Sequence, residues 1–347
     1  MPKVVIFAGA GASKAVSSDK FPTTIEFFDR LPDRIKSNDM FRLVESFFAE
    51  KKPNQQIDIE EILWELQSLK DFCSSYSKQD TMIGYSLARE RILKLVIRRQ
   101  GSANFGLLSE SLSQTKSICE NLISEINSVV YDLYSHEPLE NDLKDNWIYL
   151  IDKLERNKTN YNIFTTNYDV AIETAVAIRG RPNLDNFSGT VGRISKKLDL
   201  DRWKSAEPVS PLLTKLHGSI NWKFGQNAIQ VGDLVYTGDH GKQAIIYPGF
   251  KGTSDSEFFA PLHEFLGARF EDADAIIFIG FAFRDQYINE MIGDRLSPGC
   301  SVYVINPQSV RFPVRRAQAK PIKSGFDRAS IDQCFADLAK KKKLLLI

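Results

Sequence analysis

The chain has 347 residues, 43% of them hydrophobic and 26% charged, with 45 Lys and Arg against 44 Asp and Glu for a formal net charge of +1. That length suits about two domains, and the composition can bury a sizeable core, which excludes a disordered chain. The balanced charge gives no whole-chain drive toward nucleic acid or an anionic membrane, so neither is expected as a direct partner.

No apolar run approaches the roughly 18 residues that a membrane span needs. The apolar stretch Val4 to Ala8 near the N-terminus is too short for a signal-peptide core, so a soluble, cytoplasmic protein is expected. The cysteines, Cys73, Cys119, Cys300 and Cys334, form no Cys-x-x-Cys pair, so no metal site is expected. Scattered thiols of this kind suit buried positions in a reducing compartment.

Lys3 to Ala8 reads as a β-branched strand that runs into a glycine-rich loop, Gly9-Ala10-Gly11-Ala12-Ser13. From about Pro22 to Arg156 the pattern is helical. Pro22-Thr23-Thr24 opens a helix with Ile25, Phe27, Phe28 and Leu31 on one face. Ile59, Ile62, Leu63, Leu66 and Leu69 keep the spacing of an amphipathic helix, as do segments 82–99 and 107–134 and the run Trp147, Leu150, Ile151, Leu154. Strands are expected at Asn162–Thr166, Leu212–Leu216, around Ile229–Tyr236, and at Ala244–Tyr247, Ala275–Ile279 and Ser301–Ile305, with helices at 169–178, 260–270 and 285–296. Leu344 to Ile347 suggests an edge strand, and Lys340 to Lys343 a solvated helix end. Alternating strands and helices predict a mostly parallel sheet covered on both faces.

Five clusters sit at the expected carboxyl ends of strands, where open α/β sheets bind ligands. The Gly9–Ser13 segment suits close approach of backbone N–H groups to a phosphate, although it is neither the G-x-G-x-x-G fingerprint nor a P-loop. Thr166-Asn167-Tyr168-Asp169 follows the second strand; Asn167 can donate and accept, and Asp169 can accept from ribose hydroxyls or cap a helix. In Leu216-His217-Gly218-Ser219, a histidine follows a strand and precedes a Gly-Ser turn, a place suited to proton transfer. His136, His240 and His263 lack such a setting and read as structural. The apolar strand Ile276–Ile279 breaks at Gly280-Phe281, with Asp285 as a helix cap, and the last of the strands ends at Asn306-Pro307.

Taken in order, Gly9-Ala10-Gly11-Ala12-Ser13, Thr166-Asn167-Tyr168-Asp169, His217-Gly218-Ser219, the Gly280 strand end and Ile305-Asn306 resemble the sirtuin-like family, over roughly residues 1–20 and 160–310. The resemblance implies an α/β fold. Its core is a Rossmann-like, mostly parallel sheet with helices on both faces, from residues 1–21 and 157–347, with a large helical insertion, 22–156, after the first strand. It implies NAD as the bound dinucleotide, held by Gly9, Ala10, Gly11, Ala12, Ser13, Thr166, Gly218, Ser219, Gly280, Phe281 and Asn306. It also implies that Asn167, Asp169 and His217 sit at the bond that is cleaved. Protein-deacylating sirtuins usually carry a four-cysteine zinc module and a Pro-x-Phe-Arg segment. Here no matching cysteine pairs exist, and Phe21-Pro22-Thr23-Thr24 stands where that segment would be.

The pattern looks more like the sirtuin-like NAD hydrolases of bacterial anti-phage defence. These cleave NAD to nicotinamide and ADP-ribose, and several pair with a separate sensor, a translocase-type ATPase or a short Argonaute. The helical layer, roughly residues 22–156, has more surface than one sheet can cover, so a homo-oligomer formed through these helices is expected, with a partner or an assembly step switching the pocket on. Two alternatives stay open: a non-catalytic module that senses NAD or ADP-ribose, and an NAD-dependent protein deacylase.

Overall fold

The computed structural model describes residues 2–53, 57–77, 105–180, 187–188, 197–198, 211–224, 229–231, 243–246, 256–314 and 317–340. The expected helix 82–99, the edge strand Leu344–Ile347 and His240 lie outside the described residues. In chain order the elements begin with β1 (Lys3–Ala8), α1 (Ala10–Val16), α2 (Thr24–Asp29), α3 (Asp33–Lys36), α4 (Asp39–Lys51), α5 (Ile59–Ser77), α6 (Phe105–Tyr134), α7 (Glu140–Leu143) and α8 (Trp147–Arg156). They continue with β2 (Asn160–Thr165), α9 (Ala171–Ile178), β3 (Phe187–Ser188), β4 (Lys197–Leu198), β5 (Leu212–Lys215), β6 (Gly218–Phe224), β7 (Ile229–Val231) and β8 (Gln243–Ile245). Last come α10 (Ser256–Asp272), β9 (Ala275–Ile279), α11 (Gln286–Arg295), β10 (Ser301–Ile305), β11 (Ala319–Ile322) and α12 (Arg328–Lys340). The chain divides into two compact units, Met1–Thr23 with Tyr131–Ile347, and Thr24–Val130.

The first unit is built on a six-stranded sheet in the order β11-β10-β9-β1-β2-β5, with every neighbouring pair parallel. The central strands β1, β9 and β10 are buried on both faces, so they read as continuous apolar runs such as Val4-Val5-Ile6-Phe7-Ala8 and Ala275-Ile276-Ile277-Phe278-Ile279. β1 registers on β2 from Lys3↔Asn160 to Ala8↔Thr165 and on β9 from Val4↔Ala275 to Ala8↔Ile279. Numbered by their appearance in the chain, the parallel strands lie 6-5-4-1-2-3 across the sheet. This is the Rossmann order read from its far edge, and its direction of winding reverses between β1 and β9.

One face of the sheet packs Val5, Phe7, Phe164, Phe278, Val302 and Val304 with Phe259, Leu262, Leu266 and Phe270 of α10. The Phe7 ring lies 5.5 Å from that of Phe278 and 6.5 Å from that of Phe270. Burying one such ring contributes about 1.5–3 kcal/mol. α8 buries Trp147, Ile148, Leu150, Ile151 and Leu154, and its exposed side joins α12 through Lys153 and Tyr149, both bonded to Asp332. α12 is opened by a reciprocal pair: Asp327 Oδ1 accepts from Ser330 N, and Ser330 Oγ accepts from Asp327 N.

A second, antiparallel sheet, β3-β4-β7-β6-β8, departs from the expectation that the later strands join the parallel sheet. β5 ends at Lys215, Leu216 and His217 turn, and β6 begins at Gly218, so the expected Gly-Ser turn is itself a strand. In the second unit all described elements are helices. Asn38 caps α4, accepting from Met40 N at 2.9 Å, while Phe41, Val44 and Phe48 form its buried stripe. In α5, Ile59, Ile62, Leu63 and Leu66 are buried at the expected spacing.

Candidate functional site at the sheet's carboxyl edge

The winding reverses at the carboxyl ends of β1 and β9, the place where open α/β sheets bind ligands, and each strand is followed by a glycine. The expected loop after β1 is replaced by helix: Gly9 is the N-cap and α1 starts at Ala10. Small residues make this tight start possible. Gly9 N donates to Ile279 O at 2.9 Å, Gly11 N to Gly280 O at 3.0 Å, and Ala12 N to Gly9 O at 2.9 Å. Gly280 has φ +59°, and a Cβ there would lie 2.3 Å from Ala12 N and 2.4 Å from Gly11 C. Backbone thus meets backbone at the reversal point, and three N–H groups of the Gly9–Ser13 segment are satisfied inside the protein.

The end of β2 is tied into the same place. Thr165 Oγ1 donates to Ala8 O at 3.1 Å and accepts from Asn167 N at 3.0 Å, while Thr166 N donates to Ala8 O at 3.3 Å. Asn167, 9% exposed, donates through Nδ2 to Gly9 O at 2.9 Å and to Ser13 Oγ at 2.7 Å. Ser13 in turn donates to Asp169 Oδ2 at 2.5 Å, and Asp169 Oδ1 accepts from Ala171 N at 2.9 Å. Ser13, Asn167 and Asp169 therefore form one buried relay, and both oxygens of Asp169 are occupied by protein donors at the start of α9. That position favours a negative charge.

Lys215, at the end of β5, is buried and went unremarked in the sequence. Its Nζ donates to Asp169 O, to Tyr168 O at 3.3 Å and to Glu173 Oε1 at 2.9 Å. Burial pushes the Glu173 carboxyl above the usual carboxylate range despite Lys215 beside it. A lone Lys in an otherwise apolar strand, Leu212-Leu213-Thr214-Lys215, is the signal that would have found it.

His217 lies in the turn between β5 and β6, its side chain 5% exposed. Its Nε2 stands 3.3 Å from Asp285 Oδ2, and its Nδ1 is buried with no hydrogen-bond partner among the described residues. Asp285 also caps α11, accepting from Ile288 N at 3.1 Å on Oδ1. Burial raises the Asp285 carboxyl, but the hydrogen bond from His217, the Ile288 N–H and the neighbouring imidazoles outweigh it and hold it below its ordinary value. His263, read as structural, has its ring centroid 6.4 Å from that of His217. Burial, with His217 beside it, lowers its imidazole to about 4. Periodicity places Asp285 at a helix start and His263 on α10; their meeting with His217 is a tertiary contact that no local pattern carries.

The remaining expected residues fall at the same edge. Gly218 has φ +85°, and a Cβ there would meet Ala244 O at 1.8 Å. Ser219 Oγ donates to Tyr168 O at 3.1 Å, joining β6 to the Asn167 segment. The Phe281 ring belongs to the core, 4.7 Å from Phe7, so only its backbone faces the edge. Asn306 accepts from Gln308 N at 3.0 Å and donates to Phe281 O at 3.3 Å, which ties the ends of β10 and β9.

No curated protein matches the chain. A crystal structure of a Sir2 homologue–NAD complex has a TM-score of 0.42 at 14% identity, covering 98% of this chain and 90% of that one. A mutant of Sir2 homologues in complex with 2′-O-acetyl ADP-ribose has a TM-score of 0.43 at 14% identity, covering 99% and 95%. Sir2Tm bound to a propionylated peptide has a TM-score of 0.37 at 12% identity, covering 98% and 93%. The family model of the SIR2-like domain matches residues 161–310, a span that holds most of β2 together with Asn167, Asp169, His217, Gly280 and Asn306. The likeness to the SIR2-like domain thus rests on residues 161–310.

Proposed function

We propose that this protein hydrolyses NAD at the nicotinamide–ribose bond, releasing nicotinamide and ADP-ribose. The observation that carries the reading is His217, whose buried Nδ1 has no partner among the described residues at the edge where the Asn167 relay and the glycine ends of β1 and β9 converge. A buried nitrogen without a partner costs about 1–3 kcal/mol, and a ligand or water that binds His217 Nδ1 recovers it. Polar groups that follow three strand ends, Asn167 after β2, His217 after β5 and Asn306 after β10, suit the ribose and base edges of a dinucleotide.

The scissile bond joins ribose to a cationic ring, which leaves neutral with the bonding electrons and needs no acid to protonate it. Water oxygen bonds to the ribose carbon, and the proton released passes to His217, directly or through a ribose hydroxyl, and on to solvent. Asn167, locked through Nδ2, is left with its Oδ1 to orient the water or a hydroxyl. Asp169, its oxygens held by Ser13 Oγ and Ala171 N, favours the positive charge that develops on the ribose.

The family resemblance extends the proposal to NAD depletion as the effector step of anti-phage defence under a separate sensor, and the helical layer adds a homo-oligomer formed through its helices. A second reading, a module that senses NAD or ADP-ribose without turnover, is favoured by one observation. Both Asp169 oxygens and the Asn167 amide nitrogen are already bonded to protein. Incubating the purified protein with NAD and following free nicotinamide separates the two: the enzyme releases it and the sensor only binds.

A further inference from the structure

We propose that Asp285 is the positioning residue for His217, fixing the imidazole as the Nε2–H tautomer so that the unpartnered Nδ1 is its lone-pair nitrogen. This deepens the reading of His217 as the proton acceptor and rests on it. A helix cap needs one carboxylate oxygen, and Asp285 spends only Oδ1 on Ile288 N. The other, Oδ2, lies 3.3 Å from His217 Nε2, with the two side chains 10% and 5% exposed. A carboxylate only accepts hydrogen bonds, so Nε2 must carry the hydrogen. Nδ1 then has a lone pair and nothing in the described structure to receive.

The groups facing this pair do not reverse the assignment. His263, on α10, stays neutral at physiological pH because burial holds it at about 4. Its Nδ1 is turned to Phe259 O at 3.0 Å. Tyr287, on α11, packs edge-on against His263 with ring centroids 5.2 Å apart. Glu264 and Arg295 act on the Tyr287 hydroxyl and so stand one residue further out.

The double use of Asp285 makes a sharp test. In Asp285→Asn the amide keeps the cap only if its oxygen faces Ile288 N, so its NH2 group faces His217 Nε2. Nε2 must then accept, and the hydrogen moves to Nδ1. Asp285→Ser keeps a cap and touches the imidazole with nothing. Nitrogen-15 NMR of the histidine rings is expected to show His217 as the Nε2–H tautomer in the wild type and as the Nδ1–H tautomer in Asp285→Asn, with both variants folded. Nicotinamide release is expected to fall about 100-fold or more in kcat for Asn, with KM little changed, and about 10-fold for Ser, since a wrong tautomer is worse than a loose ring. Equal losses in the two variants, or the same His217 tautomer in wild type and Asp285→Asn, would overturn the proposal. The tautomer is read without substrate, so a wild type that releases no nicotinamide refutes the NAD-cleaving reading while the NMR result still decides the role of Asp285.

Discussion

Gly280→Ala tests the reversal point of the sheet directly. The backbone there has φ +59°, a region where a Cβ costs about 1–2 kcal/mol. The new methyl would also sit 2.3 Å from Ala12 N and 2.4 Å from Gly11 C, both backbone atoms that no side-chain rotation can clear. Relief requires α1 to move off β9, which breaks the bond from Gly11 N to Gly280 O now at 3.0 Å. A lost buried backbone bond adds about 1–3 kcal/mol, for a total of about 2–5 kcal/mol, a large part of the roughly 5–15 kcal/mol of a whole domain. Gly293→Ala is the control. It lies inside α11, a Cβ there meets nothing within 4 Å, and the change should stabilise by about 0.5–1 kcal/mol. Urea unfolding followed by near-ultraviolet circular dichroism reads both as shifts of the midpoint at constant slope. If Gly280→Ala costs less than about 1 kcal/mol, the close contact of β9 with α1 is not what positions the edge.

Lys215→Met leaves Glu173 in place without its cation and is expected to destabilise by about 3–5 kcal/mol, with Lys215→Met/Glu173→Leu recovering most of the loss in the same unfolding assay. His263 is held at about 4 against an ordinary 6.5, so the unfolded chain binds more protons between those values. The stability that comes from its neutrality is complete above about pH 6.5 and is lost as pH falls toward about 4, up to about 3 kcal/mol, and His263→Gln should flatten that part of the stability–pH curve. Ser13→Ala removes the middle of the relay and leaves Asp169 Oδ2 without its donor, at about 1–3 kcal/mol by urea unfolding, and slows nicotinamide release by freeing the Asn167 amide.

The central strands β1, β9 and β10 are legible in the sequence because both their faces are buried, which makes them uninterrupted apolar runs ending at Gly or Asn. α5, α6 and α8 are legible for the complementary reason, a single buried stripe at helical spacing. The second sheet is not. β6 alternates Gly218-Ser219-Ile220-Asn221-Trp222 with polar residues on one side, and its opening glycine reads as a turn. β11 carries Pro321, tolerated because the strand lies at the sheet's edge, where one side needs no hydrogen bond. At the site, the residues of Gly9–Ser13, Asn167, Asp169 and His217 are visible as polar clusters after strands. Their bonding is not, since Ser13 reaches Asp169 and His217 reaches Asp285 only through the fold. The same holds for Gly280, whose role lies in what its missing Cβ lets α1 approach.

The most direct test of the account is a long incubation of the purified protein in excess over NAD, following nicotinamide and ADP-ribose together. The wild type should release the two in equal amounts, and His217→Ala and Asn167→Ala, both folded, should release neither above background. Intact NAD with calorimetrically measured binding, or release undiminished in His217→Ala, would contradict the assignment of this edge as a site of NAD hydrolysis.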